Sequence, residues 1–281
     1  MRRIFLHDNL DIDAVASAWA AERFIPGFKD ATFAFRPADY DGHEMDEGDI
    51  AVDMTIGIKG KLDDDGTQHS SFASIIAQYA PLEDQAALHP LVTFIDAQDS
   101  YGSAIKHMVP DIDDDALNIL STVTVSSVLR ALQNTNQRND RSVLYKMLMI
   151  FDGLFGCGKA RQEAEKEADQ AELLADGQVA IVDNSRRYAT NSILFNRGVR
   201  AIIYIDDYNL GVVRSSEEAF RADDPRICAV VEAAGEFDEW FAHSAGFLFC
   251  RGSRKSRQTS PSQVNPRDLA QALVDVVSTA A

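Results

Sequence analysis

The most informative stretch of the chain is His7-Asp8-Asn9-Leu10-Asp11-Ile12-Asp13, which joins a predicted strand to a predicted helix. The apolar run Arg3-Ile4-Phe5-Leu6 before it predicts a short strand. The alanine-rich run up to Arg23 predicts a helix with small residues on its packing face. Because ligands of open α/β sheets bind at the carboxyl ends of the strands, we expect this H-x-x-x-D-x-D pattern at a binding edge.

The donor atoms of this stretch have two interpretations. Imidazole nitrogen and carboxylate oxygens packed this closely suit divalent cations such as Mn²⁺, Mg²⁺ or Zn²⁺. The structural alternative is that Asp11 is a helix N-cap, Asp13 is a first-turn acid that complements the helix dipole, and His7 is an ordinary hydrogen-bonded histidine. This stretch alone leaves both open.

Strand and helix patterns alternate along the first half, which predicts an α/β fold with a mostly parallel sheet. Strands are predicted at residues 4–6, 31–35, 50–52 and 91–95, and helices at 70–79, 113–132 and 141–154. Residues 159–176 are rich in Glu, Ala, Lys and Gln, which is typical of an exposed connecting helix.

The second half predicts a smaller mixed α/β domain. Strands are predicted at 178–182, 201–205, 210–213 and 245–249, helices at 227–240 and 267–277, and a loop at 251–266. We therefore place an N-terminal domain at 1–155, a connecting helix at 156–177 and a C-terminal domain at 178–281.

Composition narrows the partners. The 281-residue chain carries a formal net charge of −17, so as a whole it repels long nucleic acids and acidic membranes. Three dispersed cysteines without a C-x-x-C pair favour a reducing compartment. No secretory apolar segment follows the basic start and no apolar run is long enough to span a bilayer. We expect a cytoplasmic protein that does not bind membranes, and a homodimer is an open possibility.

Further acids follow predicted strands. Asp53 ends the run 50–52, Asp63-Asp64-Asp65 follows Leu62, and Asp96 ends the run 91–95. Parallel strands would bring these acids to one edge, where uncompensated carboxylates repel one another and cations relieve the repulsion. The alternative is a set of independent, solvated turn acids.

In their order, these residues resemble the four motifs of the DHH phosphoesterase superfamily, which includes RecJ-type nucleases, oligoribonuclease-like phosphatases, cyclic-dinucleotide phosphodiesterases and exopolyphosphatases. The resemblance implies two Mn²⁺ or Mg²⁺ ions on a parallel sheet. His7 and Asp11 would bind one ion, Asp13 and Asp96 the other, and Asp53 would bridge both and lie next to the attacking water.

The third motif departs from the family pattern, because Asp63-Asp64-Asp65 stands where the family has Asp-His-His. Asp64 would replace the histidine that binds metal, and a carboxylate is a reasonable ligand for a hard cation. Asp65 would occupy the catalytic histidine position, but it donates a hydrogen bond only when protonated. His69 is the candidate replacement, with an ordinary loop histidine as the alternative.

The C-terminal half resembles the domain that accompanies DHH domains. Arg214-Ser215 follows a predicted strand, and His243-Ser244-Ala245-Gly246 resembles the substrate loop of that domain, without its preceding glycines. The resemblance implies that these residues face the substrate. Arg251, Arg254 and Lys255 belong to a basic, hydroxyl-rich segment that suits phosphate; a solvated basic loop is the alternative.

A second motif competes with this interpretation. The run 153–159 fits the start of a P-loop, G-x-x-x-x-G-K, but Ala160 stands where Ser or Thr would bind Mg²⁺. A helix junction is the alternative. We therefore predict a metal-dependent phosphoesterase that uses two divalent ions of the same kind, with Mn²⁺ favoured over Mg²⁺, and that acts on a phosphate-containing small molecule or a short single-stranded oligonucleotide. The alternatives are a weakly active or inactive phosphate-binding protein, an exopolyphosphatase-like enzyme, and a P-loop nucleotide switch.

Overall fold

The computed structural model describes residues 1–63, 67–136, 139–183, 188–206, 208–252 and 258–280. The chain forms two compact units, an N-terminal unit, Met1–Lys159, and a C-terminal unit, Ala160–Ala281. The division falls inside the segment 156–177 that we predicted as the connection. The biochemical roles predicted for the two domains stay predictions.

The N-terminal unit alternates short strands with helices. Its strands are β1 (Arg3–His7), β2 (Thr32–Arg36), β3 (Ile50–Ala51), β4 (Lys61–Leu62) and β5 (Gln68–His69). Its helices are α1 (Ile12–Phe24), α2 (Ser71–Tyr79), α3 (Leu82–Tyr101), α4 (Ala104–Met108), α5 (Asp114–Thr122), α6 (Val125–Thr135) and the first part of α7 (Asp140–Asp169).

A three-stranded parallel sheet lies at the centre of this unit, in the order β2-β1-β3. Side chains of β1 alternate between two faces, as a strand requires. Ile4 and Leu6 pack into the helical core, while Phe5 packs on the other face with Tyr40 and Met54. The predicted parallel sheet is therefore present, and the apolar centre of its middle strand is fully buried.

Helix α3 corrects a predicted strand. Residues 91–95 lie inside this helix, and the acid predicted at a strand end, Asp96, lies on the helix as well. A short apolar run fits either element, and Pro90, which favours a break, lies within the helix. The helical period explains the burial, because Leu88 and Ile95 lie seven residues apart and are both buried.

Helix α7 contains both the P-loop-like run and most of the predicted connecting helix. It runs without interruption through Gly153, Gly156 and Gly158 and ends at Asp169, so the motif forms no phosphate-binding loop. Gly158 has a packing role, because a Cβ there would lie 2.2 Å from the carbonyl oxygen of Ala87. Lys159 forms ion pairs with Asp84 and Glu83.

The C-terminal unit contains a six-stranded mixed sheet in the order β10-β11-β9-β8-β7-β6. Its strands are β6 (Glu172–Leu174), β7 (Val179–Val182), β8 (Ala201–Asp206), β9 (Asn209–Arg214), β10 (Trp240–Ala242) and β11 (Leu248–Arg251). Its helices are α8 (Tyr188–Asn196), α9 (Pro225–Ala233), α10 (Pro266–Thr279) and a 3₁₀ turn at Phe237–Glu239. Only β7 and β8 pair in parallel among these described strands.

Helices cover both faces of this sheet. Val179 and Ile181 of β7 belong to one buried cluster with α10, and Ala180 and Val182 belong to another with α8 and the end of α7. The helix predicted at 227–240 ends earlier, at Ala233, because Gly235 adopts a left-handed conformation with φ of 74°. Trp240 then pairs with Arg251 in the sheet.

No described helix of either unit is both long and apolar enough to cross a membrane.

Candidate functional site

Three donor side chains meet at the carboxyl edge of the parallel sheet. His7 ends β1, Asp11 precedes α1, and Asp53 follows β3. His7 Nε2 lies 3.3 Å from Asp53 Oδ2 and 3.6 Å from Asp11 Oδ2. These three donor atoms all lie within 4.8 Å of one another.

The orientation of His7 leaves one nitrogen for this cluster. His7 Nδ1 lies 2.9 Å from the carbonyl oxygen of Asp8, which can only accept, so Nδ1 carries a proton. Hydrogen bonds to Asp11 and then to Asp53 raise the pKa of His7 to about 11. The proton on Nε2, which faces these carboxylates, must leave before that nitrogen can bind a metal ion.

Backbone strain accompanies the position of Asp53. This residue has φ of 53°, in the left-handed region that glycine adopts freely and that few other residues, mainly Asn and Asp, adopt at all. Its N–H donates to Ile58 O at 2.9 Å and lies 3.2 Å from Ser71 Oγ. Gly57 makes the tight turn possible, because a Cβ there would lie 2.1 Å from Ala51 O.

Asp11 caps a helix, as the structural interpretation of the sequence predicts, and it also faces His7, as the metal-site interpretation requires. It is the N-cap of α1, accepting a hydrogen bond from Ala14 N–H at 2.9 Å, and its other oxygen faces His7. Burial acts to raise the pKa of Asp11, but the hydrogen bonds from His7 and Ala14 lower it overall.

Asp13 has a structural role at the start of another helix. Its side chain is buried and accepts hydrogen bonds from the N–H groups of Ser71 and Phe72, both at 2.8 Å, at the N-terminus of α2. Burial, together with the negative charge of Asp53, raises the pKa of Asp13 well above its usual value.

Asp99 belongs to this acidic group although the sequence analysis did not select it. Burial, followed by the charges of Asp53 and Asp11, raises the pKa of Asp99 to about 6. Asp96 and Asp99 lie three residues apart on α3, a spacing that places two helical side chains on one face. This D-x-x-D spacing could have pointed to Asp99, but only if residues 91–95 had been predicted as a helix and not as a strand.

His69 lies in a second cluster. Its Nδ1 is 3.0 Å from Asp96 Oδ2 and its Nε2 is 3.0 Å from Asp63 Oδ2. The hydrogen bond to Asp96, helped by the one to Asp63, raises the pKa of His69. Asp96 also accepts hydrogen bonds from the N–H and hydroxyl of Ser70, the N-cap of α2.

The predicted pairing of Asp13 with Asp96 is therefore not seen. Asp13 holds the N-terminal N–H groups of α2, whereas Asp96 holds Ser70 and His69. Asp64 and Asp65, predicted as a metal ligand and a catalytic residue, lie outside the described residues, as do Arg254 and Lys255.

The donor set suits divalent cations. One imidazole nitrogen and two carboxylates form the tight cluster. Two further acids, Asp13 and Asp99, lie close enough for the charge of Asp53 to raise their pKa values. Such uncompensated acids repel one another, and a bound cation would relieve that repulsion.

In the C-terminal unit, Arg214 and Ser215 line a cavity of about 500 Å³ together with residues of α8 and Phe247. Arg214 donates to the carbonyl oxygens of Ser215 and Ala245, and its buried Nε has no partner among the described residues. His243 and Gly246 lie in the adjoining turn, where the Gly246 N–H donates to His243 O.

The phosphate contact predicted for Arg251 is not supported by the structure. Arg251 ends β11 rather than beginning a loop, and it is 3% exposed. Its guanidinium donates to Glu239 and to the carbonyl oxygen of Ser260, and it lies 3.6 Å from Glu236. These partners from other segments use its charge, so the side chain stabilises the unit and does not face a ligand.

Comparisons with known proteins give weak likenesses. No protein-family profile and no curated protein sequence matches the chain. Similar solved structures include an uncharacterised protein from Helicobacter pylori G27, with 12% identity, full coverage of both chains and a TM-score of 0.24.

Two RecJ structures are also similar. RecJ from Thermus thermophilus, in complex with Mg²⁺, has 11% identity and a TM-score of 0.35, with 98% of this chain and 50% of RecJ covered. Exonuclease RecJ bound to manganese has 11% identity and a TM-score of 0.32, with 99% of this chain and 90% of that one covered. At these values, conclusions about function depend on the side chains of the site.

Proposed function

We propose that this chain is a metal-dependent phosphoesterase of the DHH type that hydrolyses phosphoester bonds in short oligonucleotides, nucleotides or related phosphates. One observation carries the proposal: His7, Asp11 and Asp53 gather their donor atoms within 4.8 Å at the carboxyl edge of a parallel sheet. The motif resemblance and the extra acid, Asp99, point in the same direction.

His7, Asp11 and Asp53 would hold the first ion, and Asp53 would share the second with Asp99 or Asp13. The two ions, for which we favour Mn²⁺ over Mg²⁺, would supply an activated water and neutralise charge at phosphorus. The chain itself orients the ligands. The Nδ1–H of His7 donates to Asp8 O and thereby fixes the tautomer, as such supporting hydrogen bonds do in metal sites.

His69 is the candidate for moving a proton near the site. Two carboxylates hold its ring, which raises its pKa and keeps it protonated to a higher pH than a free histidine. An imidazolium in this position is a suitable proton donor for a leaving oxygen. Asp63 is the more exposed of its two partners, so a substrate oxygen could replace Asp63 as the acceptor of the hydrogen bond from His69 Nε2.

We propose phosphate binding for the C-terminal unit as well. Arg214 offers a buried guanidinium Nε without a described partner, and Ser215 adds polar groups to the same cavity. Guanidinium groups bind phosphate through charge-assisted hydrogen bonds. The strong negative charge of the whole chain favours short substrates over long duplexes.

The direct test measures Mn²⁺ binding and hydrolysis of a short RNA oligonucleotide by the wild type and by Asp53→Asn. Asp30→Asn is a matched control, because Asp30 is exposed and also has a positive φ, of 64°. We expect Mn²⁺-dependent hydrolysis in the wild type and the control, and its loss in Asp53→Asn.

Other outcomes separate the alternatives. Hydrolysis of inorganic tripolyphosphate but not RNA would indicate an exopolyphosphatase-like enzyme. Tight Mn²⁺ binding without turnover of RNA, dinucleotide or polyphosphate would indicate a phosphate-binding protein. Failure of the wild type to bind Mn²⁺ or Mg²⁺ would contradict the proposal.

A further inference from the structure

A second polar cavity adjoins the acidic group in the N-terminal unit. It has a volume of about 210 Å³ and lies between the loop before α1 and the helices α3 and α6. Its wall includes three of the acids, Asp11, Asp13 and Asp99. Four other lining residues belong to α6, a helix that neither the motifs nor the proposed function uses.

One face of α6 is fixed against this cavity. Ser126, Leu129, Arg130 and Gln133 line it, with the i, i+3, i+4, i+7 spacing of a single helical face. Leu129 is 3% exposed and packs in the hydrophobic core. Gln133 Nε2 donates to Leu10 O at 2.6 Å, which ties the helix to the residue before Asp11.

Arg130 is the one cationic side chain among the described residues that line the cavity. It forms no hydrogen bond or ion pair with any described residue, although three carboxylates line the same cavity. Its five N–H donors in a planar fork match the oxygens of a phosphate group.

Ser126 supplies an independent observation. The residue is 8% exposed, and its Oγ is fully buried without a partner among the described residues. A buried hydroxyl without a partner is unfavourable, so an acceptor at this position is expected. Ser126 and Arg130 also line an adjoining cavity of about 80 Å³ with several hydroxyl groups, including those of Ser103, Ser121 and Thr124.

We propose that Arg130 and Ser126 bind a phosphate group of the substrate beside the metal-binding acids. This inference rests on the proposed function and adds the anion-binding half of the same site. Carboxylates alone repel a phosphate, whereas a guanidinium and a hydroxyl on the facing helix hold it next to the bound cations. Both side chains lie one helical turn apart, so they can contact one phosphate together.

The test titrates inorganic phosphate into the Mn²⁺-loaded protein by isothermal titration calorimetry, after Mn²⁺ binding alone has been measured for each variant. We expect Arg130→Ala to weaken phosphate binding about 10- to 100-fold and Ser126→Ala about 3- to 10-fold. Arg130→Lys should restore part of the loss, because it keeps the charge but not the fork. Lys29→Ala, which removes an exposed charge between α1 and β2, should leave binding unchanged.

Two further readouts separate this role from a structural one. Arg130→Ala should bind Mn²⁺ at least as tightly as the wild type, because a positive charge near the acids is removed. The KM for a short RNA should rise in step with the loss of phosphate affinity. Equal phosphate affinity in the wild type and Arg130→Ala, or no phosphate binding by the Mn²⁺-loaded wild type, would overturn this inference alone. Failure of the wild type to bind Mn²⁺ would contradict the proposed function, and this inference with it.

Discussion

His7 and His69 of the N-terminal unit each lie between two carboxylates, and their two clusters differ in which nitrogen remains for a ligand. In the His7 cluster, a backbone carbonyl occupies Nδ1, and both carboxylates face Nε2. In the His69 cluster, one carboxylate faces each nitrogen. The first arrangement converges on one point that a cation can occupy, while the second surrounds the ring. Similar residue types therefore suit metal binding in one place and proton holding in the other.

The largest expected difference between the clusters is in metal affinity. His7→Ala should weaken Mn²⁺ binding about 100-fold or more, because it removes a direct donor. His69→Ala should change the affinity less than about threefold, since neither ring nitrogen joins the His7 donor cluster. Calorimetric titration of both variants, with thermal unfolding to confirm folding, measures the contrast. Equal losses would place both histidines in one metal site.

The pH dependence of Mn²⁺ binding should follow His7. Its pKa of about 11 means that the ring is protonated near neutral pH when no cation is bound, so binding releases a proton. Mn²⁺ affinity should therefore rise about tenfold for each pH unit between about pH 6.5 and 8, with about one proton released per ion.

Titrations in buffers of different ionisation enthalpy count that proton. His69→Ala should keep the slope. A pH-independent affinity in the wild type would show that His7 binds no cation.

Replacing Asp99 should show whether this acid contributes to Mn²⁺ binding at the His7 cluster. Asp99→Asn should weaken Mn²⁺ binding about fivefold to tenfold, because it removes a carboxylate from the field of the donors. The pKa of about 6 also predicts that protonation of Asp99 weakens wild-type binding further as the pH falls below 6, and the variant should lack that additional loss. Asp152→Asn, at an exposed pair with Arg23, is a charge-matched control. A Kd for Asp99→Asn equal to that of the control would exclude Asp99 from the site.

The smallest expected effect concerns stability at the second cluster. Because hydrogen bonds raise the pKa of His69, its contribution to stability is complete below about pH 6.5 and disappears as the pH rises through its folded-state pKa. The side chain is about a third exposed, so solvent limits the contribution to no more than about 1 kcal/mol. Denaturant unfolding of the wild type and His69→Gln at pH 6 and pH 9 measures it. A difference that grows toward pH 9 would have the wrong sign.

Local signals explain what the sequence predicted well. The strand at β1, the helix α1 and the meeting of His7, Asp11 and Asp53 follow from one apolar run, one N-cap and the rule for parallel strand ends. Non-local partners explain the errors. The burial of Arg251 depends on Glu236 and Glu239, which reach it from a different segment.

Helical phase explains why the sequence did not point to Asp99, Arg130 and Ser126. Asp99 becomes a neighbour of Asp53 only when residues 91–95 are helical, because a strand would point it elsewhere. Arg130 and Ser126 carry no motif at all, and only the packing of Leu129 and the hydrogen bond from Gln133 bring them to the cavity.

The left-handed backbone at Asp53 has a consequence for how the chain responds to selection. An aspartate at this φ strains the backbone, and its charge is repelled by neighbouring acids. Glycine would relieve both effects and asparagine the repulsion, while each would weaken the contact of this side chain with His7. A library selected only for heat resistance should therefore enrich those two residues at position 53 and drift toward stable, inert proteins. Under the proposed function, aspartate should persist at this position only when the library is selected for activity as well.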